Sequence, residues 1–311
     1  MIDFRYHIVS LISVFLALAV GIALGAGPLE ATIGNTLTEQ VAQLRAEKDA
    51  LREEVAEIGA TSEERAAYID AASEELLAGV LPRDVAVVTL PGADDDVVAA
   101  VLRRIGQAGG TVTARVAVTD LWVDPDQLAF RNSLVGSLTG YLDPAPEADA
   151  ATEVVLGVAL ARGLTATAPE SPEELSDDAG LLLDVLTSGE LVSVAVAPSR
   201  PADAFVVVGS AAGSVTEADE ALASLVRMVD AFAAESQGAV VGGDATTTAG
   251  LVSAVRASEV ADRVATVDTV DDIAGQVSVP RALAAAIAGK VGHYGASGSA
   301  SGSLPPRVSL P

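Results

Sequence analysis

Cysteine is absent from the 311 residues. That excludes disulfides, thiolate metal sites and cysteine nucleophiles, and it permits an oxidising compartment because there is no thiol to lose. Histidine and methionine are nearly absent too, at two residues each, so the soft and imidazole donors that select copper are missing as a set. Aromatic residues make up 3% of the chain, too few for the interfacial girdles of a transmembrane β-barrel. Positive charge is short as well: 18 Lys and Arg stand against 43 Asp and Glu, a formal net charge of −25, and Lys48 and Lys290 are the only lysines. Nucleic acid is thereby excluded as a partner, since phosphate binding needs a basic face, and anionic polymers are repelled at long range.

Half of the chain is hydrophobic, which is ample for a folded core. The longest apolar run, Ile8 to Leu24, has no charge over 17 residues and reaches about 25 Å as a helix, enough for a thin hydrocarbon core. Ala23 and Gly25 form a small-x-small pair such as a signal peptidase site uses, but "MIDFRYH" before the run lacks a positive n-region and the run exceeds an ordinary h-region. Retention as an anchor over residues 1–29 is the expectation, with cleavage as the alternative. Ser13, Ala17, Gly21 and Gly25 recur every four residues and would let two such helices approach closely in lipid. Arg5 before the run and Glu30 and Glu39 after it point to a single pass through the cytoplasmic membrane with the bulk of the chain outside. An outer envelope layer follows if the segment is cleaved.

Residues 30–80 read as a helical stalk. Leu37, Val41, Leu44, Lys48, Leu51, Val55 and Ile58 step alternately by four and three residues, the heptad seam of a coiled coil. With β-branched residues at a and Leu at d, it favours a parallel homodimer. Lys48, the polar a residue, penalises wrong registers at a cost in stability. Helix folded back on the domain is the alternative reading of the same pattern.

From residue 81 to 295 the pattern becomes short Val-rich runs separated by helical stretches, the mark of βαβ units and a mostly parallel sheet. The expected class is α/β, Rossmann- or flavodoxin-like, with a helical insertion over 124–188 interrupted by Pro144, Pro146, Pro169 and Pro172. Strands are expected at 84–90, 191–197, 204–210, 238–243 and 263–268 and through "TVTARVAVT", with late helices at about 217–235, 247–259 and 281–289. Residues 296–311, rich in Gly, Ser and Pro, read as a disordered tail.

Candidate ligand or partner loops follow two of these strands: Gly209 and Gly213 in one, Gly242, Gly243 and Asp244 in the other, with Thr246 to Thr248 available as helix caps. Neither loop has dinucleotide or Walker spacing, and tight turns that cap helices explain both. A Ser-His-Asp arrangement would have to recruit His293 from the rim, and no G-x-S-x-G elbow exists, so the chain is read as a non-enzyme without a resident cofactor. The groups Asp94–Asp95–Asp96 and Asp268, Asp271, Asp272 read as helix N-terminal charge or solvated turns rather than cation sites.

The N-terminal "MIDFRYHIVSLISVFLALAVGIALG", the heptads after it, the "GGD" turn at 242–244 and the closing "GKVGHYG" at 289–295 together resemble the actinobacterial copper transport protein B (MctB) family. The resemblance implies a cell-envelope protein tied to copper export or tolerance and proposed as a channel. It also implies partners among envelope or division proteins that regulate peptidoglycan hydrolases. Copper enters by this resemblance alone, for the donor set argues against a dedicated relay. Two accounts therefore stand: a dimeric, non-enzymatic extracytoplasmic scaffold, and a direct copper export component.

Overall fold

The computed structural model describes residues 4–25, 28–147, 149–209, 219–245 and 250–310, with 24, 25, 28–36 and 219 described by backbone only. It divides into two units, 1–65 and 66–311.

The first unit is helical. α1 (Phe4–Gly25) carries a stretch long and apolar enough to cross a membrane, Phe4–Ala23, with a mean hydropathy of 2.2 and no part of it buried. α2 (Pro28–Leu77) begins in this unit and ends in the second.

The second unit is an α/β domain. After α2 come β1 (Asp84–Thr89), α3 (Asp95–Gln107) and β2 (Thr111–Val118), then the insertion with α4 (Leu128–Leu138), α5 (Thr152–Thr165), a short hairpin of β3 (Thr167–Ala168) and β4 (Ser171–Leu175), and α6 (Asp177–Ser188). β5 (Val192–Val196), β6 (Ala204–Val208), α7 (Asp219–Ala234), β7 (Ala239–Gly243), α8 (Leu251–Arg256), β8 (Val264–Asp268), α9 (Ile273–Ile287) and β9 (His293–Tyr294) complete it. Seven strands form one sheet in the order β5-β2-β1-β6-β7-β8-β9. All neighbours are parallel except β5, which runs antiparallel to β2. β6, β7 and β8 are buried at every position, as Val-rich strands are when helices cover both faces of a parallel sheet.

Each face has its own core. On one, Phe205 of β6 stacks on Phe232 of α7 with ring centroids 4.3 Å apart, and the single tryptophan, Trp122, lies wholly buried with Leu138, Leu142 and Leu160 of the insertion. On the other, the end of α2 (Leu77), α3 (Val101, Ile105) and α9 (Leu283) share a cluster. The α2 end is also pinned by polar contacts. Arg104, with no exposed surface, donates to Ser73 Oγ at 2.6 Å, Gln107 Oε1 at 2.8 Å and Asp70 Oδ1 at 2.5 Å. These bonds engage both terminal nitrogens and leave Nε without a partner; a buried guanidinium needs such matching to offset its desolvation.

Three elements differ from the sequence expectation. α9 starts at Ile273 rather than 281, with Asp272 as its cap (Ala274 N–H to Asp272 Oδ1, 3.1 Å), and holds Pro280 in its interior. Proline there removes one i→i−4 bond, but burial of almost every α9 side chain outweighs that loss. The β3–β4 hairpin lies within the stretch expected to be a helical insertion, and its Pro172 sits in a two-stranded sheet, where both strands are edges that tolerate proline. Residues 296–310 make specific contacts: Tyr294 bridges to Gly302, and Arg281 Nη2 donates to the Pro305 carbonyl at 2.8 Å.

Candidate functional site

Strand order reverses between β1 and β6. β1 leads to β2 on one side, while β6, β7, β8 and β9 progress on the other. In an open parallel sheet the crevice beyond the carboxyl ends of the strands at such a reversal is where ligands bind. Leu90 N–H donates to the Val208 carbonyl at 2.9 Å and Gly209 N–H to the Gly242 carbonyl at 2.8 Å, so the two glycine loops expected from sequence stand side by side. Gly242 has no room for a side chain, since a Cβ there would lie 2.7 Å from Val270 Cγ1. Gly243 pairs with Asp268, and Asp244 follows, half-buried. Gly213 and Thr246 to Thr248 fall outside the described residues; the cap position of α8 is Gly250, with no side-chain bond.

The neighbouring strand ends hold a buried ionic hub that the sequence reading did not find. Arg256, in the last turn of α8, donates through Nη1 to Asp268 Oδ2 at 3.0 Å, to Ser297 Oγ at 2.7 Å and to Ser299 Oγ at 2.9 Å. Its Nε reaches Thr266 Oγ1 at 2.8 Å and its Nη2 the Tyr294 carbonyl at 3.0 Å. Asp268 accepts in addition from Ala296 N–H at 2.7 Å and Ser297 Oγ at 2.6 Å. Burial pushes the Asp268 carboxyl up, but the bonds from Ser297, Ala296 and Arg256 outweigh it and hold the group below the usual carboxylate range. Gly295 has φ +138°, and a Cβ on it would overlap the Asp268 carboxylate, so only glycine lets the chain wrap that group. The "GGD" and "GHYG" motifs are thus brought to the two flanks of one aspartate, with Gly243 opposite Asp268 and Tyr294 opposite Val267.

The acidic groups resolve individually. Asp94 caps α3, accepting from Asp96 N–H at 2.8 Å and Val97 N–H at 3.3 Å, and Asp272 caps α9, as expected of helix N-terminal charge. Among the described residues no group of three or more His, Asp or Glu is arranged to hold a metal ion.

In the head the soft and imidazole donors are Met228 and His293, and His7 is exposed on α1. Met228 is fully buried in the core beneath α7. His293 Nδ1 lies 2.9 Å from Thr266 Oγ1. That hydroxyl also accepts from Arg256 Nε at 2.8 Å, and its second lone pair and its proton suit either tautomer of the ring. Burial and the Arg256 charge push the imidazole pKa down, against a smaller opposing effect of Asp262.

At the opposite end of the sheet an open groove of about 620 Å³ is lined by Asp84, Arg200, Asp203, Glu235 and Gln237 among others. Its charges are largely engaged with one another: Arg200 pairs with Asp84 at 3.0 Å, Arg162 with Glu235 at 2.9 Å, and Asp203 accepts from Asp84 N–H at 3.0 Å and Gln237 Nε2 at 2.8 Å.

The expected seam residues fall on one continuous helix, α2, which leaves Leu37, Val41, Leu44, Leu51, Val55 and Ile58 solvent-exposed. Gly21 and Gly25 lie on α1, where the Ser13 hydroxyl bonds back to the Val9 carbonyl at 2.8 Å.

Comparison with known proteins matches residues 1–305 to the family described as "Copper transport outer membrane protein, MctB". The protein named "Copper transporter MctB" in Mycobacterium tuberculosis (strain ATCC 25618 / H37Rv) is 30% identical over 315 residues, covering 95% of this chain and 96% of its own length. Its namesake in Mycobacterium bovis matches to the same extent. That of Mycobacterium leprae is 34% identical over 138 residues, 44% of each chain. With the family match spanning nearly the whole chain, the protein belongs to the MctB family.

Proposed function

We propose that this protein is a non-enzymatic, membrane-anchored envelope scaffold, dimeric through α1 and α2, whose α/β head engages a partner outside the cytoplasmic membrane and supports copper tolerance without a high-affinity copper site of its own. The observation that carries this reading is the state of the donors: Met228 is sealed in the core and His293 stands in the head as one imidazole, hydrogen-bonded to Thr266, in a chain with no cysteine. Cu(I) needs convergent sulfur and Cu(II) convergent imidazole for tight binding, whereas scattered carboxylates hold Cu(II) weakly and lose it to salt or Ca²⁺. The partner surface is assigned to the crest that carries Gly209, Gly242, Gly243 and Asp244, because it lies at the reversal of strand order. Other envelope proteins, including those that govern peptidoglycan hydrolases, are the class of partner the family resemblance supports.

Direct copper export is the competing account, favoured by the printed name of the relatives, "Copper transporter MctB". Calorimetry of the full chain in detergent and physiological salt, with Cu(II) and with Cu(I) under anaerobic conditions, separates the two. Weak, multi-site heats abolished by Ca²⁺ are expected. A saturable one-to-one site below micromolar that disappears in His293→Ala would overturn the scaffold reading in favour of export.

A further inference from the structure

The two edges of the seven-stranded sheet, β9 and β5, are finished differently. At β9 the chain covers its own edge: Ser301 N–H donates to the His293 carbonyl at 2.7 Å and Gly295 N–H to the Gly302 carbonyl at 3.0 Å. At β5 nothing does so. Residues 192–196 pair with β2, and among the described residues no other backbone bond reaches them. Every second residue of an antiparallel strand turns its N–H and C=O away from its partner, so β5 presents an open row of donors and acceptors to solvent.

Such edges are ordinarily blunted by charge, proline or a covering segment. Residues 191–197 carry neither charge nor proline, and Ser193, Ala195 and Val196 are exposed. A bulge opposite Arg115 and Val116 is the one such device present. Apolar surface gathers on the same side. Among the described residues beyond 81, the large hydrophobic side chains left exposed are Leu128, Phe130, Leu181, Val196 and Leu304, and all but the last belong to α4, α6 or β5. α4 reaches the turn that opens β5, where a Cβ on Gly189 would lie 2.9 Å from Leu134 Cδ2.

The ends of β5 carry opposite charge. Glu190 stands just before the strand, exposed, and at φ +56° it occupies the left-handed region that favours glycine. A charged side chain kept there at a backbone cost points to a use beyond the contacts of its own chain. At the other end Arg115, opposite Val196, is half-buried and has no carboxylate partner among the described residues, and Arg200, paired with Asp84, follows. The acidic end of one copy meets the basic end of another when two such strands run antiparallel, and that pairing is two-fold symmetric. A net charge of −25 makes most faces of the chain repel a second copy, whereas residues 191–199 contain no acid.

We infer that β5 is a self-association surface: the heads of a dimer join edge to edge, β5 antiparallel to β5 of a second copy, with each Glu190 toward the Arg115 end of the other and α4 and α6 beside the junction. A strand of 5 residues is too short to hold two chains by itself. The contact therefore rests on the proposed dimerisation through α2, which raises the effective concentration of one edge for the other.

Cysteine substitution gives a clean test because the chain has none. Identical antiparallel strands about a two-fold axis place one residue directly opposite its own copy, with Cβ atoms about 4.5 to 5.5 Å apart, and leave its neighbours in the strand too far from theirs for a disulfide. Ser193→Cys, Val194→Cys and Ala195→Cys are made singly in the full chain in detergent and oxidised mildly, with Asp271→Cys, on an exposed turn, as the control. One of the three should bridge far more completely than the other two and the control. Adding Glu190→Lys, exposed and outside the strand, should leave folding intact and slow that bridging. Sedimentation of the same samples separates the two readings. A dimer in which no position stands out, or in which Glu190→Lys changes nothing, overturns the edge pairing alone and leaves β5 to an extended segment of another protein. A monomer without bridging overturns the pairing together with dimerisation through α2.

Discussion

Arg256 and Asp268 stand 12 residues apart in the chain and meet at 3.0 Å, with 4% and 1% of their side chains exposed. Around this pair close contacts from Tyr294, Ala296, Ser297 and Ser299, so the hub is the point from which the C-terminal segment is held.

Removing one partner of such a pair leaves the other charge buried and unmatched, which costs about 3 to 5 kcal/mol. Asp268→Asn is therefore expected to lower Tm markedly and to expose residues 295–303 to protease, whereas Asp271→Ala, on an exposed turn, should do neither. Gly295→Ala should act like Asp268→Asn, because its methyl would occupy the carboxylate's place. Equal melting of all three variants and wild type would remove the hub from the account of stability.

Acid acts on the same pair with a definite sign. Since the Asp268 carboxyl is held below its ordinary value, its contribution to stability is present above the unfolded-state pKa, about 3.9, and is lost as pH falls through the lower folded value. Hydrogen exchange of the Ala296 and Ser297 amides should stay slow through mildly acidic pH and quicken only below that range. Quickening between pH 5 and 7 would contradict the assignment.

The exposed heptad positions of α2 carry the dimer proposal. Leu44→Asp with Leu51→Asp places like charges at two d layers and should abolish self-association of the full chain in detergent, while Lys48→Leu should strengthen it and blur the oligomer state. Sedimentation that finds a monomer for wild type and variants alike ends the proposal.

If α1 stays as an anchor, N-terminal sequencing of protein extracted from membranes should begin at Met1 or Ile2. A mature chain starting near Ala26 would make the segment a cleaved signal.

What the sequence made legible follows from where the determinants lie. β1, β6, β7 and β8 were readable because a strand buried on both faces is apolar nearly throughout, a property contained within five or six adjacent residues, while β2 and the largely exposed β5 were readable only as short Val-rich runs. α9 was readable only in its later half, because Pro280 and the polar pair Gln276 and Ser278 break the local pattern and only burial against the sheet keeps them helical. The glycine loops were found by position after strands, and their adjacency through the Gly209–Gly242 bond follows from the strand order. The Arg256–Asp268 hub could not be found in this way. Ser297 and Gly295 take their meaning from a carboxylate 27 to 29 residues upstream, and a Gly/Ser stretch has no intrinsic preference that announces such a contact. The one local hint was the "GHYG" run itself, with a glycine where the wrapped carboxylate leaves no space.

Trp122 offers a way to watch the head without a label. It is the only tryptophan in the chain, it is fully buried, and its neighbours Leu138 and Leu142 come from the insertion. Its indole N–H has no hydrogen-bond partner in the described protein, so in the native state its fluorescence should emit at short wavelength, as an indole in hydrocarbon does. Lifting the insertion off the sheet would bring water to that ring and move the emission to the red before the strands themselves separate. A single intrinsic chromophore thereby reports the docking of one layer of the fold, and the aromatic poverty of the chain makes that report free of interference.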